Sequence, residues 1–450
     1  MEENILGKEK ISKLFIKFSI PAIIAMVIAG MQSMVDGVFI GNFVGSTAMA
    51  SVSLGGPYIQ LVIGLSMMIS VGSLSFMGRS LGEGNKKLTQ NIFRTALILL
   101  GVFAAVLTII GVFFSDNIAN LLGANPELLG GVSTYIRTIS ICIIPMSLAF
   151  LIGFADRLVE KPDLYFKGMV LSLIVNITLN YILIKQMNLG IIGAALATGL
   201  SYTSVFIIVI SPMLKKDNII NIFLGRFDKT TIIPMIYNGS SEAMTAVSSA
   251  ISAYLFNMAF MSFTGELGVA AFTSINYIAQ FGTLIVFGIA DGIGSIISYN
   301  YGAKYFSRVR SILKLSLKIA FVVGIGTFLT LLFFGENIIN LFVSSDQNVV
   351  ELAVQGSKIY AFAFLLNGFN TLCSSYFTSI GYAKESVIIA LSRGLVCIAI
   401  GITILPRIFG LNGVWLTIPF AEFITIIICY CLASKYISSK KDTCSQAILD

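Results

Sequence analysis

The sequence predicts an all-α polytopic membrane protein with about twelve transmembrane helices in two parallel six-helix repeats. Three observations carry that expectation: depletion of charge over long runs, segregation of basic loops to one side, and an internal offset that holds along the chain. Of the 450 residues, 56% are hydrophobic and only 11% are charged, where a soluble domain carries about 25% charged residues. Gly37 to Gly78 contains no Asp, Glu, Lys or Arg, and neither do 95–115, 186–214, 243–265, 267–290 and 359–383. A spanning helix needs about 20 apolar residues, so these runs exceed what a buried soluble helix requires. They do not alternate apolar with polar residues, which argues against the roughly ten-residue strands of a membrane barrel.

Taken in order, spans are expected near 14–42, 49–78, 91–114, 131–154, 164–185, 189–212, 231–262, 267–298, 311–334, 351–379, 384–405 and 410–433. The start, MEENILGKEKISKLF, is a short amphipathic segment that leads into the first span and lacks a small-residue cleavage site, so it is not a cleavable signal. Pro21 and Pro234 fall near the starts of spans 1 and 7 and read as shapers of a turn, while SLGGP (53–57) permits close helix packing. With twelve spans, all but four of the 29 Lys and Arg lie on one side, the exceptions being Arg137, Lys185, Lys358 and Arg407. The positive-inside bias then places both termini in the cytoplasm of a bacterial inner-membrane protein.

A shift of 220 residues aligns Phe43 with Phe263, Gly45 with Gly265, Gly72 with Gly292 and Gly82 with Gly302. It also overlays FFSDNIANLL (113–122) on FFGENIINLF (333–342) and GIIG (190–193) on GLNG (410–413). Six spans per repeat make the halves parallel. The expected organisation is 1–212 for helices 1–6, a basic linker at 213–230, 231–433 for helices 7–12 and a cytoplasmic tail at 434–450. Repeats also build channels and scaffolds, but two parallel halves favour an alternating-access carrier.

Chemistry has few places to reside. Of the 22 acidic residues, Asp36, Glu242, Asp291 and Glu422 lie well inside predicted spans, and Arg393 is the one comparably placed base. Such carboxylates face a bundle interior or a wet cavity. Their partner is then a proton, a metal cation or a cationic ligand; the bland reading is a protonated acid bonded to a neighbouring helix. Asn176, Asn180 and Thr198 fall on spans 5 and 6, and the i, i+4 spacing puts both asparagines on one face. Beside Asp36 their oxygens can hold Na⁺, while the carboxylate alone can hold a proton. Taken singly, Asn and Thr in spans are more often interhelical hydrogen-bond glue. Glu242, Asp291 and Glu422 suit a substrate cavity or proton relay, because burial disfavours the charged form.

The chain has no His, and no nucleophile–base pair or phosphate loop stands out, so an enzyme is not expected and neither is a cofactor. The six cysteines are scattered; Cys429 and Cys431, two apart, face different directions, so all read as small apolar residues. The net charge of +7 comes from loops and does not imply nucleic acid. NIT (176–178) lies inside a span and NGS (238–240) on the inner side, so neither is a glycosylation site.

In FSIPAII with MVDGVFIG, VNITLNYILI followed by LGIIGAALAT, the basic loop ISYNYGAK, and LNGVWLTIPFAE, the chain resembles the multidrug and toxic compound extrusion (MATE) family, in its DinF-like, MepA-like branch. The resemblance covers nearly the whole chain. It implies two lobes around a central cavity and export of small cationic lipophilic compounds in exchange for Na⁺ or H⁺, by a monomer. By that resemblance Asp36 matches the first-helix acid, and Asn176 and Thr198 match oxygen ligands of the N-lobe cation site. Asn180 departs from it, since many relatives have Asp followed by Pro where this chain has Asn180–Tyr181. Glu242, eight residues after Pro234, matches the seventh-helix acid of NorM-like members, and Asp291 falls where MepA-like relatives carry Glu and many others Gln. The rival within transport is a lipid or lipid-linked saccharide flippase, which would line its cavity with several bases. An intramembrane enzyme and an ion channel are the rivals outside it.

Overall fold

The computed structural model describes residues 4–342 and 347–446, and among them it is helical with no strand. The last residues of the tail expected at 434–450 lie outside the described ones. Among the described residues eleven helices are long and apolar enough to cross a membrane: Ile11–Phe43, Ser46–Gly82, Lys86–Phe113, Asp163–Gln186, Gly190–Met213, Lys229–Thr264, Glu266–Gly302, Phe306–Asn340, Gln347–Ile380, Ala383–Phe409 and Leu411–Ser434. A bent pair, Pro126–Ser140 and Ile143–Leu158, supplies the twelfth and is span 4 in chain order.

Span 4, expected near 131–154, is two helices joined at a bend. Its halves meet at 51°. Pro145 sits three residues into the second half and has no N–H to give the carbonyl of Ile141 at the break, which is a sufficient cause of a bend. The second half also continues to Leu158, so Asp156 and Arg157 belong to the helix rather than to a loop. Asn85 and Asn125 start their helices by accepting from the backbone N–H of Leu88 (3.0 Å) and Leu128 (2.9 Å). The repeat-related Gly45 and Gly265 both adopt positive φ, +117° and +63°, at the turns between spans 1 and 2 and between spans 7 and 8.

The chain forms two compact units whose limits do not follow the repeats. The first comprises Met1–Ala246, Phe287–Leu315 and Thr378–Gly381, and the second Val247–Val286, Ser316–Phe377 and Tyr382–Asp450. Inside the first unit, the ends of spans that carry the basic loops approach to backbone contact. A methyl group on Gly72 would strike the carbonyl of Met235, and one on Gly239 the carbonyl of Met68. Gly82 and its repeat partner Gly302 meet the same way, against the carbonyls of Tyr299 and Arg79. Small residues allow this approach where no hydrophobic force drives helices together. The segment after span 6 is irregular but held: Gln90 and Arg94 donate to the carbonyls of Ile219 (3.0 Å) and Ile222 (2.5 Å). Asn91 and Thr95 accept from the backbone of Arg226 (2.8 Å) and Asp228 (2.9 Å), so one face of span 3 clamps the linker.

The second unit is built on an aromatic core. Trp415 lies 4.4 Å from Phe260 between ring centroids, Phe272 stacks on both Phe256 (4.9 Å) and Phe260 (5.1 Å), and Gly356 leaves room for the indole face.

Candidate functional site

The first unit brings Asp36 together with Asn176, Asn180 and Thr198. Asn176 Nδ2 donates to Asp36 Oδ1 at 2.9 Å and Asn180 Nδ2 to the same oxygen at 2.7 Å. Thr198 Oγ1 donates to Asp36 Oδ2 at 2.7 Å. Asn180 Nδ2 also reaches Asn176 Oδ1 at 3.2 Å, while Asn180 Oδ1 has no partner among the described residues. Both asparagines are fully buried. Asn180 opens a π-helical turn, Asn180–Gln186, within span 5. Such turns add a residue to the helix and re-aim side chains, and they recur at functional positions.

The carboxylate is thus held by three neutral donors and no base. The hydroxyl of Thr198 has a second acceptor in the carbonyl of Ala194, at 3.1 Å. A hydroxyl has one proton to give, so it serves Asp36 or Ala194 but not both. Gln32, one turn before Asp36 on the same helix face, extends the polar group. Its Nε2 donates to Ser172 Oγ at 2.8 Å, and Ser201 Oγ lies at 3.5 Å and in turn donates to the carbonyl of Thr198 (2.7 Å). Tyr135 and Tyr202 stand close enough to feel the charge on Asp36. Gln32, Ser172 and Ser201 are not among the candidates the sequence offers, although the i, i+4 spacing of Gln32 and Asp36 is a signal for the first of them.

A second buried group in the first unit surrounds Arg157. Its side chain is 3% exposed, lies 4.6 Å from the centroid of the Phe154 ring and donates through Nη1 to the backbone carbonyl of Asp291 at 2.5 Å. Met26, Met67, Phe150, Gly153, Phe154 and Tyr165 line a narrow cleft with Arg157 and Asp291. Asp156 is fully buried beside it, and neither of its carboxylate oxygens, nor Oδ2 of Asp291, has a hydrogen-bond partner among the described residues. Glu242, on span 7, lies within electrostatic reach of Asp291. The sequence placed Arg157 in a loop; the longer span 4 makes it an interior base.

Glu422 belongs to the second unit and is not without a base. Arg393 Nε donates to Glu422 Oε1 at 2.9 Å, and both side chains are largely buried, 18% and 5% exposed. The expectation that the interior acids lack a basic partner is corrected here. Arg393 sits in a π-helical turn, Ser392–Val396, that breaks span 11 and aims the guanidinium at span 12.

Comparison with known proteins agrees with this architecture. The family model MatE matches the chain twice, at residues 21–182 and 243–403. The multidrug export protein MepA of Staphylococcus aureus is 27% identical over 422 residues, 92% of each chain. The protein of that name from Staphylococcus saprophyticus is 26% identical over 444 residues, 97% of each. Among solved structures, a MOP superfamily transporter from Pyrococcus furiosus superposes with a TM-score of 0.91 at 23% identity, over 98% of this chain and 99% of the other.

Proposed function

Since the chain belongs to the MatE family, whose model matches both repeats, we propose that it is a secondary active efflux transporter, an antiporter that exports small cationic lipophilic compounds by alternating access. It works as a monomer in the bacterial cytoplasmic membrane, with both termini inside, and needs no cofactor. The observation that carries the coupling is Asp36, a half-buried carboxylate inside a spanning helix, bonded to neutral donors alone. Such a group is far costlier to bury charged than neutral, so loading it with one positive charge changes which arrangement of the helices is favoured.

The loading ion in this reading is the proton. In the charged state Asp36 accepts from Asn176, Asn180 and Thr198. Once protonated at Oδ2 it donates to Thr198 Oγ1, and the threonine hydroxyl turns to the carbonyl of Ala194, already 3.1 Å away. The Asp36 carboxyl and the Thr198 hydroxyl each keep a partner in both states. Na⁺ asks for more: both asparagine amides must turn to offer oxygen, breaking their two bonds to Asp36, for a site with one carboxylate. The flippase alternative expects bases free to hold phosphate, whereas Arg157 and Arg393 are engaged with Asp291 and Glu422.

Purified protein in liposomes tests both statements with ethidium as cargo. A pH gradient without Na⁺ is expected to drive dye movement, and a Na⁺ gradient at clamped pH is not. Movement on Na⁺ alone, lost in Asn180→Ala, overturns the proton assignment; no movement of any cationic dye under either gradient overturns efflux. The hydroxyl switch makes its own prediction. Thr198→Val should cut proton-driven transport by roughly tenfold or more, within the 5–150-fold range of a typical coupling free energy, and Thr198→Ser should restore most of it. Equal transport by the valine and serine variants removes the hydroxyl from the mechanism.

A further inference from the structure

Glu422, like Asp36, is a carboxylate held by two asparagine amides from one helix. Asn367 Nδ2 reaches Glu422 Oε1 at 3.2 Å and Asn370 Nδ2 donates to Oε2 at 2.7 Å. Asn370 Nδ2 also lies 2.8 Å from the backbone carbonyl of Glu422. Asp36 likewise takes two amides from asparagines one turn apart on a single helix; Thr198 donates to Asp36 directly, whereas Thr371 donates to the carbonyl of Asn367 and joins the Glu422 group through Arg393. Each group also includes a residue set on a π-helical turn, Asn180 in one case and Arg393 in the other. The two are not copies of each other, because the 220-residue offset places Phe256 opposite Asp36 and Tyr202 opposite Glu422. The difference in kind is Arg393, whose Nε holds Glu422 at 2.9 Å while Nη1 donates to Thr371 Oγ1 at 2.6 Å.

We infer that the second unit contains a monovalent-cation site whose occupant is built in: the guanidinium of Arg393 takes the place a free cation would hold beside Glu422, so Glu422 exchanges no ion during transport. A carboxylate held by two amides, with a hydroxyl bonded to the cation beside it, is a cation site with one negative charge. A guanidinium stays charged at any working pH, and its fork gives two directional bonds, one to the acid and one to Thr371. The pair is neutral as a whole and has no charge left to attract Na⁺ or a proton. The other titratable groups within reach of Glu422 are the phenol of Tyr360 and the thiols of Cys397 and Cys429, with Cys373 against Cys429; none of them supplies a second acid. Removing the tethered cation leaves a buried, uncompensated carboxylate, and such a group recruits a cation or a proton.

This inference rests on Asp36 as the exchanging carboxylate for its parallel, but its test reads uptake at Glu422 directly and needs no transport. The chain has one tryptophan, Trp415, two turns before Glu422 on the same helix, so its emission reports on this unit. Full-length protein carrying Asp36→Asn is purified in detergent and titrated with NaCl against choline chloride, and separately with acid. Trp415 emission and the melting temperature are both followed, since a cation that binds only the folded state raises the latter. Adding Arg393→Met is expected to create a saturable response to Na⁺ or to protons that the parent lacks. Arg393→Lys, which keeps a tethered charge, should behave as the parent, and Glu422→Gln on top of Arg393→Met should erase the new response. The inference is overturned if Arg393→Met gains no Glu422-dependent response. It is equally overturned if Glu422→Gln alone removes a cation response from protein that retains Arg393, a measurement that stands even where Arg393→Met does not fold.

Discussion

Asp36→Asn is expected to reduce proton-driven efflux of a cationic dye to the background of empty liposomes, with the protein still inserted and folded. The substitution preserves shape and most of the bonding. The amide oxygen can accept from Asn176 and Asn180, which lie 2.9 and 2.7 Å from Asp36 Oδ1. The amide nitrogen can donate to Thr198 Oγ1, whose proton then goes to the carbonyl of Ala194. The variant is therefore a permanent imitation of the loaded, neutral state, and no gradient can unload it. A transporter that cannot change the charge of its coupling group gains nothing from the gradient, because a ligand shifts an equilibrium only by its differential affinity for the two states. The checks are dye flux in liposomes and melting temperature in detergent. A variant that transports at the wild-type rate under a pH gradient removes Asp36 from the coupling step. One that melts far below wild type shows that the carboxylate was structural.

This group was readable in the sequence because each member stands out against an apolar background and two are related by helical spacing. Asp36 interrupts a long uncharged stretch, and Asn176 and Asn180 are one turn apart. The span count was readable for the same reason, since charge depletion over a bilayer's thickness is a local property. What escaped were features that depend on how helices end and how they are rotated. Arg157 follows Asp156 in a charged pair that looks like the edge of a loop, and nothing local shows that span 4 runs on to Leu158. The Arg393–Glu422 pair joins spans 11 and 12 across 29 residues, and the π-helical turn that aims the arginine has no sequence signature of its own. Cys429 reads as a packing residue, yet its Sγ lies 3.5 Å from Asn370 Oδ1, beside the Glu422 group. The repeat was legible, but the compact units were not: their limits cut spans 7 and 8 near residues 246 and 287, where close glycine contacts decide the grouping.

Arg157→Met is expected to cost the protein about 1.5–3 kcal/mol of stability, the usual worth of a hydrogen bond from a charged group. The residue is 3% exposed and lies within electrostatic reach of Asp291 and Asp156, with Glu242 within reach of the former. Lys161 is the other base near Asp156. Methionine keeps an unbranched apolar stem but removes the guanidinium, and with it both the hydrogen bond to Asp291 and the stacking over Phe154. Two consequences separate this account from a simple cavity. The added substitution Asp156→Asn should recover much of the loss, because it removes a carboxylate whose two oxygens have no hydrogen-bond partner among the described residues. Arg157→Lys should recover the charge but not the reach to the carbonyl of Asp291, and is expected to fall between methionine and wild type. Melting temperatures of the four proteins in one detergent decide it. If Arg157→Met melts with wild type, the acids around it are already neutral and the arginine is not their counter-ion. If Asp156→Asn deepens the loss instead of relieving it, Asp156 holds a contact that the arginine does not provide.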